Sequence, residues 1–219
     1  MRPQLLDSED LPPQPRQRRS REKREHLKQA ALELFSRHGY ERTCIEEIAR
    51  DAHLATGTFY QHYRSKRQLL LALMDDFLEG MARLNLTPAA TADPREMVRG
   101  LLARGFATDR RYLGAYRAWQ EAILSDAELA RHEGSIRQWT KGRITALLTA
   151  LQQWPRARPL ADLPAMAEVI DSLCWSLLAR LVFVGTDLLE KKIDAVTELI
   201  YHAVFLDPPP NVRTGPSAK

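Results

Sequence analysis

Two short helical patterns separated by a tight break, residues 43–67 (TCIEEIARDAHLATGTFYQHYRSKR), constrain this chain more than any other feature. The first opens on Thr43 with Glu46 three residues later, the spacing at which each side chain satisfies the other's free backbone N–H. Ile45, Ile48 and Ala49 then fall at i, i+3 and i+4 and form one apolar stripe, with Glu46, Glu47 and Arg50 outside it. Residues 52–55 (AHLA) read as the turn, with Leu54 pointing inward. The second pattern runs from about Thr56 to His62 and is too short and too polar to serve mainly as core. Its inward residue is Phe59. Upstream, Leu27, Ala31, Leu34 and Phe35 share one face of another amphipathic helix, and Gly39 is placed to end it in left-handed backbone. Leu27, Leu34, Phe35, Ile45, Ile48, Leu54 and Phe59 suffice to enclose one small core.

A short second helix that keeps polar residues outward, with basic residues behind it, suits a nucleic acid groove. Gly57 costs such a helix roughly 1 kcal/mol against Ala. It makes sense where a phosphate or base edge approaches the backbone. Thr56, Thr58, Tyr60, Gln61 and His62 are expected on the DNA side. Thr hydroxyls and Gln amides reach base edges, and the Thr methyl suits a thymine methyl. Tyr60 and His62 are expected on phosphates, which set register rather than sequence. Ser65 to Gln68 opens the next helix with a Ser-x-x-Gln box, whose free N–H groups and Lys66 read as a phosphate site. Charge agrees: residues 16–67 carry thirteen basic and seven acidic residues, a net of +6 against +4 for the whole chain, which leaves −2 for the remainder.

At this point the chain resembles the TetR (tetracycline repressor-like) family of transcriptional regulators. The resemblance runs from about Glu25 to Leu71, through AALELFSRHGYERT, IEEIAR and GTFYQHYRSK followed by Leu69. It implies an all-α homodimer. An N-terminal three-helix helix-turn-helix domain would bind an operator, and a C-terminal helical domain would bind a small effector and dimerise. It also implies a DNA-contact role for Thr43. Three positions depart from the common pattern: Cys44 stands where Ser or Thr is usual, His53 where Gly is frequent in the turn, and Ala55 where Ser often caps the reading helix.

The expected domain plan is a basic, proline-rich disordered arm over 1–19, a helix-turn-helix domain over 20–67, a ligand-binding and dimerisation domain over 68–206, and a disordered tail over 207–219. Within the arm, Arg16, Arg18, Arg19 and, just past it, Arg21 are candidates to reach the minor groove or phosphates. A helix from Lys66 to about Asn85 links the two domains through Leu69, Leu70, Leu73, Phe77, Met81 and Leu84. Helices follow at about 94–107, 112–124 and 125–154, and two closing helices at about 164–184 and 187–206. The first closing helix is apolar on more than one face and so needs two partners. One is the helix's own core; the other is either more of the same monomer or the same helix pair in a second subunit, and the resemblance implies the latter, with residues 164–206 as the homodimer interface, a four-helix contact about a two-fold axis. The aromatics Phe77, Met81 beside them, Phe106, Tyr116, Trp119, Trp139 and Trp175 are the candidate effector pocket, with Arg104, Arg117, Arg143 and Arg180 available to an acidic group.

The function expected is a ligand-responsive repressor on a palindromic operator. The alternative is a ligand-independent or cysteine-redox-responsive DNA-binding regulator. No catalytic residues, metal ligands or cofactors are assigned: the six histidines show no metal-binding spacing, and no phosphate-binding glycine loop or nucleophile elbow is present. The N-terminal stretch has no apolar run of a secretory signal and no segment has the length of a membrane span. Cys44 and Cys174, far apart, suggest no disulfide framework. A cytoplasmic location is expected.

Overall fold

The structure, a computed structural model, describes residues 1–7, 9–12, 17–87, 93–181 and 186–206, without the side chains of 108, 109, 181, 186 and 187. Among these residues the chain forms nine α-helices: α1 Arg18–His38, α2 Ile45–Asp51, α3 Thr56–His62, α4 Lys66–Ala82, α5 Pro94–Arg110, α6 Leu113–Ala122, α7 Ala127–Leu151, α8 Leu163–Leu181 and α9 Thr186–Val204. The only extended pairing there is an isolated bridge between Ala157 and Phe205. The all-α expectation therefore holds.

The first three helices pack as the apolar spacing dictates. Leu27, Ala31, Leu34 and Phe35 of α1, Ile48 of α2 and Phe59 of α3 are buried together. Gly39 ends α1 with φ +80°, and its N–H bonds the Phe35 carbonyl. The start of α2 lies one residue later than expected. Thr43 is buried and its hydroxyl donates to the Gly39 carbonyl (2.7 Å), so it closes the α1–α2 turn rather than capping α2. Cys44 takes the N-cap position, and the Glu47 carboxylate accepts its backbone N–H (3.2 Å). His53 occupies the turn before α3 at φ +56°, the left-handed conformation in which Gly is usual.

Two apolar clusters organise the remainder. One joins α1–α3 to α4 and α6 through Leu69, Leu70, Leu73, Phe77, Ala115 and Trp119. The other gathers α5, α7, α8 and α9 around Val98, Leu148, Leu151, Ile170, Val196 and Ile200. Each such buried aliphatic or aromatic side chain contributes about 1.5–3 kcal/mol. The α1–α6 seam is tight. A Cβ on Gly114 would land on the Leu32 carbonyl, 2.9 Å from its carbon and 3.1 Å from the Ser36 nitrogen. Across the same seam, Glu121 accepts the Tyr40 N–H (2.6 Å) and Arg117 donates to the Ser36 carbonyl (2.5 Å).

The N-terminal segment departs from the expected disorder. Leu5 is fully buried in the first cluster. Arg2 pairs with Asp75 of α4 (2.6 Å). Glu9 accepts from both Arg67 and Gln68, and Arg67 also holds Asp126 (2.8 Å) and Glu128 (2.7 Å). A stretch without periodicity of its own is thus ordered by side chains from α4 and the start of α7. Arg18, Arg19 and Arg21 belong to the first turns of α1 rather than to a flexible arm. Arg16, the 207–219 tail and the end of the first closing helix past 181 lie outside the described residues.

Candidate nucleic-acid interface and effector cavity

The helix-turn-helix presents α3 by its buried side. Phe59 and His62 are its buried residues, and Tyr63 follows them into the core. Tyr63 packs 5.9 Å from the Phe59 ring and its hydroxyl accepts from Arg24 Nε (3.0 Å). This fixes the rotation of α3 about its axis. Gly57, Tyr60 and Gln61 then stand exposed, with Thr56 and Thr58 half-buried between them. Nothing within the protein lies within 4 Å of a Cβ built on Gly57. The outward group is therefore Thr56, Gly57, Thr58, Tyr60 and Gln61.

Three residues expected at DNA have other occupations. Thr43 is spent on Gly39, as above. His62 is 6% exposed, and burial, with Arg24 and Lys23 nearby, holds its pKa below the usual imidazole value. It is a core residue, three positions after Phe59 and so on the same face. Lys66 Nζ donates to the carbonyls of Tyr40 (2.6 Å) and Thr43 (2.8 Å) and lies 4.2 Å from the Tyr40 ring centroid. Desolvation lowers its pKa. Its ammonium secures the α1–α2 turn from the first residue of α4, since three donors on a flexible stem suit converging carbonyls. The half of the α4 box that forms is the Ser65 hydroxyl accepting the Gln68 N–H (3.2 Å); the Gln68 side chain accepts from Arg64 instead (2.9 Å).

In the larger unit, α4, α5, α7 and α8 surround a cavity of about 180 Å³. Phe77, Met81, Phe106 and Trp175 line it, as expected. Tyr116, Trp119 and Trp139 do not. Tyr116 stacks on Trp175 (5.1 Å between centroids) and faces a separate polar groove, and burial pushes its hydroxyl up to about 12. Trp119 is fully buried and donates to Glu133 (2.8 Å). Trp139 lies under the Arg143 guanidinium, 5.1 Å from its ring centroid. The sequence reading passed over the aliphatic wall: Ile144, Leu147, Leu148 and Leu151 of α7, whose i, i+3, i+4, i+7 spacing was visible. Asp171 also reaches the wall. It accepts from Trp175 Nε1 (3.1 Å), with Arg137 3.6 Å away, and burial raises its pKa against those contacts. Among the described residues no group of three His, Cys, Asp or Glu is placed to hold a metal ion, and no helix is long and apolar enough to cross a membrane.

A three-helix head with an outward-facing second motif helix, joined by the long α4 to five further helices that enclose a cavity with it, defines the class of all-helical helix-turn-helix proteins. The family model described as "Bacterial regulatory proteins, tetR family" matches residues 27–73. Over this segment the chain is similar to the tetR family of regulators. It is 39% identical over 75 residues to the HTH-type transcriptional regulator TcmR of Streptomyces glaucescens, covering 34% of this chain and 33% of that one. It is 31% identical over 98 residues to the HTH-type transcriptional repressor KstR2 of Mycolicibacterium smegmatis, covering 44% and 45%. The matched segments thus span less than half the length of these curated relatives. The whole fold is similar to that of a TetR family transcriptional regulator from Pseudomonas syringae pv. tomato, with a TM-score of 0.62 at 21% identity over 85% of this chain and 98% of that one.

Proposed function

We propose that the protein is a transcriptional repressor that binds a two-fold symmetric DNA operator as a homodimer and is released by a small-molecule effector in the α4–α5–α7–α8 cavity. The observation that carries this reading is the outward face of α3. Gly57 interrupts a helix at a cost, yet no atom of the protein needs the space. A partner approaching from outside does. Repressor naming among the relatives, KstR2 included, supports the sign of the regulation. Selection of bound duplexes from random DNA tests the reading: enrichment of one palindrome is expected, and retention of unselected sequence at equal affinity overturns it.

Gly57→Ala separates stability from recognition. The variant is expected to gain about 0.5–1 kcal/mol of stability from the better helix former. On the selected duplex it is expected to bind roughly tenfold more weakly, because its methyl group holds the DNA away from the backbone. Thermal unfolding and fluorescence anisotropy read the two effects independently.

The dimer reading is supported by apolar side chains that α8 and α9 leave exposed, Val169 at 61% and Leu199 at 58%. A short reading helix covers few base pairs, so two copies on half-sites about one helical turn apart, roughly 34–36 Å, give the contact area one cannot. The double variant Val169→Glu and Leu199→Glu is expected to sediment as a monomer and to lose cooperative binding to the palindrome, with helical content unchanged. Sedimentation velocity and circular dichroism check it. An effector acts only as far as it prefers the DNA-incompetent state.

A further inference from the structure

The cavity is apolar on nearly every side, and one cation is set into its wall. Arg143 projects from α7, half-buried. Its Nη1 donates to the Met81 carbonyl (2.5 Å) and its Nη2 to the Leu84 carbonyl (2.7 Å), at the end of α4 and just past it. The guanidinium carbon also lies 5.1 Å from the centroid of the Trp139 ring. Among the described residues no carboxylate pairs with it, and desolvation alone lowers its pKa. The neighbouring cation Arg137, by contrast, has Glu133 at 2.7 Å and Asp171 at 3.6 Å. A cation drawn into apolar surroundings with only neutral carbonyls and an indole face as partners is under-compensated. A guanidinium also has five N–H donors in a planar fork, more than two carbonyls use.

We propose that the cavity takes an amphipathic anion, a molecule with one carboxylate on an apolar body, whose head group pairs with Arg143 while its body lies among Phe77, Met81, Leu102, Phe106 and Leu147. The proposal rests on the reading of this cavity as the effector site and specifies its ligand class. The other acid-base group of the wall, Asp171, is already met by Trp175 and Arg137, so the open electrostatic demand is on Arg143. Ligand carboxylate and α4 carbonyls draw on the same guanidinium. Occupancy is thereby tied to the anchoring of the last turn of α4.

The test is isothermal titration calorimetry of the full chain, without DNA, against straight-chain carboxylates of six to fourteen carbons and the alcohol and amine of each length. The best carboxylate is expected to bind at least about tenfold more tightly than its alcohol and its amine, the scale of one charge-assisted contact. Arg143→Met is expected to erase that preference and Arg143→Lys to keep most of it, with circular dichroism confirming that each variant is folded. Equal affinity for acid and alcohol, preference for the amine, or no saturable binding at any length overturns the proposal, as does an acid preference that survives in Arg143→Met. Because no DNA is present, failure of the operator reading leaves this result interpretable, and a negative result here leaves DNA binding untouched.

Discussion

Changing Tyr60 and Gln61 together to Ala is expected to weaken binding to the selected duplex by at least about a hundredfold, at roughly 1–3 kcal/mol for each specific contact. Both side chains are exposed on α3, so the loss comes with little change in stability. The ring of Tyr60 makes an edge contact with Phe59, at 5.6 Å between centroids, and is half exposed. The single variants should differ in kind. Tyr60→Ala, removing a phosphate contact, should weaken every duplex alike and lower the salt dependence; Gln61→Ala, removing a base contact, should relax sequence preference. Anisotropy titrations at several salt concentrations, paired with thermal melts, measure all three. Affinity equal to the parent in the double variant would remove α3 from the interface.

Gly114→Ala is expected to be strongly destabilising. The new Cβ would collide with backbone of α1, the Leu32 carbonyl group and the Ser36 nitrogen, and backbone cannot step aside as a side-chain end can. Overpacking of this kind costs about 1–3 kcal/mol, here toward the upper end. For a chain of this length that corresponds to a melting temperature lower by roughly 4–12 °C. Gly142→Ala is the matched control. Gly142 lies exposed within α7 with open space around a Cβ, so the same methyl should stabilise by about 0.5–1 kcal/mol. Differential scanning calorimetry on both variants decides the matter: similar melting temperatures for the two would mean that the α1–α6 seam is not close-packed.

These two sites also show what the sequence made legible. The helix-turn-helix could be read because its apolar residues repeat at helical spacing and its breaks carry recognisable residues; Leu27, Phe35, Ile48 and Phe59 are core for the reason their spacing gives. The occupation of polar residues at helix ends could not be read in the same way. Thr43 and Cys44 are adjacent and both suit an N-cap; a hydrogen bond to Gly39, four residues back, decides between them. Lys66 looks free for a phosphate until the two carbonyls of the α1–α2 turn converge on it. His62 was legible and was passed over: a residue three positions after Phe59 shares its face, however polar it is. In the larger unit the aromatic residues drew the cavity outline too wide. Tyr116 and Trp119 are large and apolar, but Trp119 is enclosed by α6 and α7 and Tyr116 lies behind Trp175. Gly114 carries no pattern of its own, and the approach of α1 is visible only in three dimensions.

Trp175 has a consequence for how the molecule can be observed. Its indole lines the cavity, stacks on Tyr116, donates to Asp171 and lies 4.6 Å from the Arg137 guanidinium. The other three tryptophans, Trp119, Trp139 and Trp154, do not border that space. An incoming guest therefore changes the dielectric around Trp175 directly and, if anionic, the charge balance at Arg143 beside Trp139, and the protein's own ultraviolet emission becomes an optical gauge of occupancy that needs neither dye nor label.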